Sequence, residues 1–188
     1  MDQSDTKQQI MALARARVQA QGYNALSFRE LAKEVGIKSA SIHYHFPTKG
    51  DLGAALARRY TEDAQAAFDE LSASGQDMPA IFRLYVGIFR AALSNDNRMC
   101  LYGIMAAEYY DLPNEVKLEV DHFAQVNLTW LTQILVKHLP DVELGSIERR
   151  ALSIFSAIEG AQLVSRGRGD ISLFDRAIEG YRAAGLIP

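Results

Sequence analysis

Residues 27 to 46 constrain this chain more than any other stretch: Ser-Phe-Arg-Glu-Leu-Ala-Lys-Glu-Val-Gly-Ile-Lys-Ser-Ala-Ser-Ile-His-Tyr-His-Phe. They read as two short helices joined by a tight glycine turn. Ser27 and Glu30 stand at capping-box spacing, in which each side chain satisfies an orphaned backbone N–H. Phe28, Leu31, Ala32 and Val35 follow at i, i+3, i+4 and i+7, one apolar stripe on a helical period. Gly36 comes next, where a helix end favours a residue that takes positive φ at little cost. The second helix has only Ile37, Ile42 and Phe46 to anchor it. Lys38, Ser39, Ala40, Ser41, His43 and Tyr44 are left facing outward. An ordinary helical hairpin is the alternative, but a helix so poor in bulky apolar residues suits a groove better than a core. The pattern is that of a helix-turn-helix, whose second helix lies in the DNA major groove.

The charge distribution agrees with that reading. The net charge of −3 looks unsuited to binding a polyanion, yet residues 1–60 carry nine Lys/Arg against five Asp/Glu, and residues 61–188 carry eleven against eighteen. A basic head on an acidic body is what binding phosphates at one end requires. The 188 residues suffice for a sizeable core, and 48% apolar content is ordinary for a globular protein. The polar, acidic start Met-Asp-Gln-Ser-Asp-Thr-Lys is unlike a signal peptide. No apolar run approaches the roughly 20 residues that span a bilayer. A lone cysteine, Cys100, excludes an intrachain disulfide. A cytoplasmic location and no membrane partner are expected.

The segment from about Thr6 to Tyr60 resembles the DNA-binding domain of the TetR family of bacterial transcriptional regulators. The resemblance rests on Gly22-Tyr23, on Ser27-Phe28-Arg29-Glu30-Leu31-Ala32, on the Gly36 turn, on Ile42-His43-Tyr44-His45-Phe46, and on Pro47-Thr48-Lys49-Gly50-Asp51-Leu52. It implies an all-α fold, with a three-helix DNA-binding domain at 4–64 (the helix-turn-helix at 27–46) and a ligand-binding and dimerisation domain at 65–188. Members usually carry Tyr where this chain has His43, and often Ser or Thr where it has Lys38. On this reading Lys38, Ser39, Ser41, His43 and Tyr44 face the groove, and Ser27, Arg29, His45, Thr48 and Lys49 face phosphates.

The rest of the chain shows helical periodicity and no strand alternation. Ile10, Leu13, Ala14 and Val18 form a stripe that would brace the helix-turn-helix. Thr48 can cap a long helix with Leu52, Leu56, Tyr60, Ala64, Phe68 and Leu71 along one side, ending in a linker at 72–77. Further helices are expected at about 77–94, 97–110, 113–138, 144–168 and 171–184. In the resembled family the last two long helices of each subunit form a four-helix dimer interface. Carried onto this chain, that places Ile147, Ala151, Ile154, Phe155, Ile158, Ala161, Gln162, Phe174, Ile178 and Tyr181 between subunits. The alternative is that these faces complete a monomer core.

The resemblance further implies ligand-gated repression, in which a small-molecule effector entering the helical body shifts the fourth helix. Candidate pocket residues are Phe82, Tyr85, Phe89, Met99, Tyr102, Met105, Tyr109, Trp130 and Phe155, with Glu108, His122 and Glu159 as polar anchors; aromatic and Met side chains at helical spacing also suit plain core. Cys100 invites a redox role, but its apolar neighbours Met99, Leu101 and Tyr102 favour a buried, inert thiol. Glu119 and His122 have the Glu-x-x-His spacing of di-iron bundles, which need two such pairs and two more carboxylates. His43 and His45 diverge on a helix. No Gly-rich phosphate loop, Ser/His/Asp set or Cys pair is present, so neither metal, cofactor nor catalysis is expected. The expectation is a dimeric, ligand-responsive repressor bound to a palindromic double-stranded operator. The alternatives are a family member without an effector and a helical small-molecule- or metal-binding protein that uses its N-terminal helices as scaffold.

Overall fold

In a computed structural model of the chain, which describes residues 3–188 with side chains from Asp5 onward, nine α-helices and no strand form among the described residues. They are α1 (Gln3–Gln21), α2 (Phe28–Val35), α3 (Ser39–His45), α4 (Lys49–Ala73), α5 (Met78–Ser94), α6 (Leu101–Ala107), α7 (Asn114–His138), α8 (Leu144–Arg168) and α9 (Ser172–Ala183). Single 3₁₀ turns occupy Tyr23–Ala25 and Tyr109–Asp111.

Local signals set most of these boundaries. Ser27 Oγ accepts the Glu30 N–H at 3.4 Å to start α2. Gly36 ends it at φ 77°, with its own N–H on the Lys33 carbonyl and the Ile37 N–H reaching back to the Ala32 carbonyl. That paired closure is the Schellman arrangement, and it needs the left-handed conformation glycine takes freely. Thr48 and Asp51 form a reciprocal box on α4: Thr48 Oγ1 accepts the Asp51 N–H at 3.0 Å, and an Asp51 oxygen accepts the Thr48 N–H at 2.9 Å. Asp77 caps α5 through the Ala80 N–H at 2.8 Å.

One expected helix is shorter than its periodicity suggested. Residues 97–100 are not helical, and α6 begins only at Leu101. Asp96 and Asn97 hold φ values of 60° and 52°, conformations that no helix continues through. The Cys100 N–H is taken instead by the Gln162 side chain at 2.9 Å. Tertiary hydrogen bonding overrides local propensity here.

Contacts divide the chain into two compact units that do not follow chain order. One holds the chain up to Thr61 together with Leu101–Phe123; the other holds Glu62–Cys100 and Ala124–Pro188. In the first, Ile10, Ala14 and Val18 of α1 are buried with Leu31, Ala32, Ile42, Phe46, Leu52, Leu56, Ile104, Met105 and Val116. Phe123 stacks between Tyr60 and Tyr102, at 5.1 and 5.3 Å between ring centroids. In the second, Phe68 stacks on Trp130 at 4.5 Å, and the indole N–H donates to Ser72 Oγ at 2.9 Å. Tyr85, Phe82, Phe89 and Phe155 continue that aromatic core.

The first unit depends on a close approach at Gly53. A β-carbon there would lie 2.6 Å from the Tyr23 ring and 3.0 Å from Val116, both fixed in the core, whereas one at Gly50 would meet only the flexible end of Glu115. Alanine in a helix interior otherwise gains roughly 1 kcal/mol over glycine. Gly50→Ala is therefore expected to be neutral or stabilising and Gly53→Ala destabilising. Equal shifts in the urea midpoints of the two variants would contradict this packing.

Candidate functional site

Helix α3 presents the expected polar face. Ile42 and Phe46 are buried beneath it, while Lys38, Ser39, Ala40 and His43 are exposed and Tyr44 is 71% exposed. Ser41 and His45 are half-buried, with His45 edge-on to Tyr44 at 5.3 Å. Arg29 is exposed at the start of α2. His43 is oriented by two contacts, its ring edge-on to Phe28 at 4.9 Å and its Nδ1 3.2 Å from the Pro47 carbonyl. Two residues expected on phosphates have other tasks within the chain. The Thr48 hydroxyl is engaged in the α4 cap, donating to Asp51 at 2.8 Å. Lys49 Nζ donates to the Asn24 carbonyl at 3.3 Å and lies 4.6 Å from the centre of the Tyr23 ring. Burial lowers the Lys49 pKa, partly offset by Glu108.

Behind this face lies a brace that the sequence did not reveal. Glu108 was expected in a pocket; instead its carboxylate accepts the Tyr23 N–H at 2.6 Å, a charge-assisted bond across 85 residues of chain. Arg58 on α4 donates to Glu119 on α7 at 2.9 Å and again at 2.5 Å, and Arg17 pairs with Glu34. Tyr109 donates to Asp121 at 2.9 Å, and His122 is exposed. Burial, then the nearby Glu115 carboxylate, pushes the Tyr23 hydroxyl up to about 12, so it stays protonated.

The comparisons place this arrangement. A family model described as bacterial regulatory proteins of the tetR family matches residues 10–56. A TetR transcriptional regulator from Legionella pneumophila is 30% identical, with 97% of each chain covered and a TM-score of 0.89. The chain belongs to the TetR family. A TetR-family transcriptional regulator from Agrobacterium tumefaciens is 29% identical over 94% of this chain and 95% of that one, with a TM-score of 0.87. FadR from Bacillus subtilis, solved in complex with stearoyl-CoA, shares 16% identity over 92% of this chain and 95% of that one, with a TM-score of 0.71, a likeness of fold alone. No curated protein matches the chain.

The residues expected in an effector pocket fall in both units. Tyr102, Met105, Glu108, Tyr109 and His122 belong to the unit that carries α3, and Phe82, Tyr85, Phe89, Met99, Trp130, Phe155 and Glu159 to the other. Within the second set, all but Glu159 are buried core aromatics and Met. The Tyr85 hydroxyl donates to Asn127 at 3.1 Å. The Gln162 amide is used at both ends, donating to the Phe89 carbonyl at 2.7 Å and accepting from the Cys100 N–H. Glu159 differs: both carboxylate oxygens are shut off from solvent, and they face the Cys100 thiol. Burial pushes its pKa up to about 7, with the neighbouring Cys100 thiol offsetting part of the rise. Cys100 itself is buried. A surface depression on α5 lined by Gly87, Arg90, Ala91, Ser94 and Asn95 includes none of the expected residues.

Of the residues expected between subunits, Ile147, Ala151, Ile154, Phe155, Ile158, Ala161, Gln162, Phe174 and Ile178 are buried within the single chain, and Tyr181 is half-buried. The outer side of α8 carries a different apolar set, Leu152, Leu163 and Val164, at 53%, 56% and 61% exposure, interspersed with the small residues Ser153, Ser156 and Gly160.

The raised Glu159 pKa has a consequence for stability. The folded chain holds that proton up to about pH 7, whereas the unfolded carboxyl releases it near its ordinary 4.5. The contribution is thus intact below 4.5 and is lost as the pH rises through 7, by about 3 kcal/mol in all. Glu159→Gln is expected to match the parent closely at about pH 4 and to melt higher at pH 8. A melting-temperature difference that stays constant between those values would mean that the carboxyl is solvated.

Proposed function

We propose that this TetR-family chain is a ligand-responsive repressor that binds a palindromic operator as a homodimer. The observation that carries the reading is α3, a short helix with two buried anchors and an outward face of Lys38, Ser39, Ser41, His43 and Tyr44. Small residues let such a helix approach base edges closely, and the longer ones reach bases or phosphates. One helix reads few base pairs; a second copy related by two-fold symmetry, about 34–36 Å away along the groove, multiplies both affinity and discrimination. The outer face of α8, with Leu152, Leu163 and Val164 between small residues, supports pairing through a four-helix contact in place of the buried set first expected.

The domain reading is a DNA-binding head at 4–64 and a ligand-binding and dimerisation body at 65–188. Helix α4 runs from one into the other, so an effector with different affinity for two α4 positions would change the spacing of the recognition helices. That the FadR fold holds stearoyl-CoA supports a small molecule within the helical body. Selection of genomic fragments by the purified protein at moderate salt tests the regulator reading. Enrichment of near-palindromic sites is expected; retention of all fragments alike by a folded dimer would overturn it.

His43 and Arg29 separate two kinds of contact. A carbonyl only accepts, so the Nδ1 beside Pro47 carries the ring hydrogen, and Nε2 of the neutral ring is an acceptor. In a major groove that matches the exocyclic amino group of adenine or cytosine. His43→Phe is expected to cost about 1–3 kcal/mol at one base pair of each half-site, whereas Arg29→Ala weakens all sequences alike and shallows the salt slope by about 1. Binding measured on a set of single-base operator variants decides. The same sequence-independent loss in both variants would refute the division.

A further inference from the structure

The turn that joins α1 to α2 is held at both of its polar edges by side chains from elsewhere in the chain. Gly22 leaves α1 at φ 92°, a conformation that favours glycine, while its N–H still reaches the Val18 carbonyl at 2.8 Å. The Tyr23 N–H opens the 3₁₀ turn, and the first N–H groups of a helical segment have no partner within it. Glu108, just past the end of α6, supplies the acceptor at 2.6 Å. The missing side chain at Gly22 lets the carboxylate in, since a β-carbon there would collide with its oxygens. At the other edge Lys49 Nζ donates to the Asn24 carbonyl at 3.3 Å, and the Glu108 charge favours the charged form of that lysine. The turn leads directly into the Ser27 cap of α2, and Phe28 beside that cap meets His43 on α3 edge-on at 4.9 Å. The direction of α2, and with it the seat of His43, is set here.

We propose that Glu108 is a positioning residue for operator binding: its carboxylate fixes the turn at Tyr23–Ala25 and so sets α2 and α3 for the groove, without touching DNA itself. The matched family segment ends at residue 56, so Glu108 comes from outside the stretch that defines the helix-turn-helix. The sign of its effect separates positioning from simple electrostatics. An acid on a DNA-binding unit repels phosphates, so by charge alone its removal strengthens binding to every duplex. As a positioning residue, its removal weakens the operator instead, because base contacts depend on where α3 lies. A random duplex, held through phosphates alone, loses nothing. A glutamine side chain keeps an oxygen for the Tyr23 N–H but not the charge, and charge-assisted hydrogen bonds are roughly twice as strong as neutral ones. Its effect therefore falls between those of glutamate and alanine. The inference rests on the reading of α3 as the operator-binding helix and names a residue that sets it in place.

The test uses the full chain, the operator recovered by fragment selection and a random duplex of equal length. Glu108→Gln is expected to weaken operator binding about threefold and Glu108→Ala about tenfold or more, with binding to the random duplex held or strengthened in both. Amide hydrogen exchange at Tyr23 is expected to quicken from the parent to Glu108→Gln and again to Glu108→Ala. Exchange at Ala14 and Val18 in the α1 core stays as in the parent, which shows that the rest of the unit remains folded. If Glu108→Ala melts below the assay temperature, Glu108→Gln decides by the same readouts. Operator binding that is unchanged or strengthened, operator and random duplex weakening together, or an unaltered Tyr23 exchange rate would overturn the proposal. A parent that selects no operator sinks the repressor reading and this inference with it; a parent and variants that bind the operator equally sink this inference alone.

Discussion

Helix α3 is held inward by only two side chains, Ile42 and Phe46, so its orientation depends on what holds the elements around it. Tyr23 is the centre of that support. Its backbone N–H is bound by Glu108, its ring packs where Gly53 has no side chain, and Lys49 lies over the ring while bonding the next carbonyl at Asn24. The 3₁₀ turn at Tyr23–Ala25, the start of α4 and the end of α6 are thereby fixed to one another through a single residue. Helix α3 can afford an outward face of small polar residues because its framework is rigid elsewhere. A helix with more apolar anchors would need less bracing, but would have fewer positions left for reading bases.

The carboxylates of the two units differ in their surroundings. In the unit that carries α3, carboxylates are matched: Glu108 with a backbone N–H, Glu119 with Arg58, Asp51 with the N-terminus of α4. Each pairing favours one arrangement over its competitors. In the other unit the Gln162 and Tyr85 groups are matched, and the Glu159 carboxylate is buried beside the Cys100 thiol.

Local signals in the sequence carried the helices well. The Ser27 cap, the Gly36 stop, the Thr48–Asp51 box and the apolar stripes of α1, α2 and α4 depend on neighbours within a few residues, and such interactions are legible from the chain alone. The α3 face was equally plain, because an absence of bulky apolar residues is itself a local pattern. What escaped depends on distant partners. Nothing near Glu108 says that it bonds Tyr23, and nothing near Cys100 says that Gln162 takes its N–H and delays α6. Lys49 has the look of a phosphate contact until Asn24 and Tyr23 are brought beneath it.

The two faces of α8 differ in what they leave exposed. Ile147, Ala151, Ile154 and Ile158 form the most regular apolar stripe on that helix, and the family resemblance carried the subunit contact onto them. Yet a helix has to satisfy its own chain first, and the strongest stripe goes to the core. The remaining apolar residues, Leu152, Leu163 and Val164, are fewer and are separated by serine and glycine, so on a helical wheel they look incidental. Exposure reverses their significance. Exposed leucine and valine between small residues allow a second helix to approach closely, whereas the richer stripe has no surface left to offer. Glu159 lies on the border between these faces, its stem toward the outer one and its carboxylate inside.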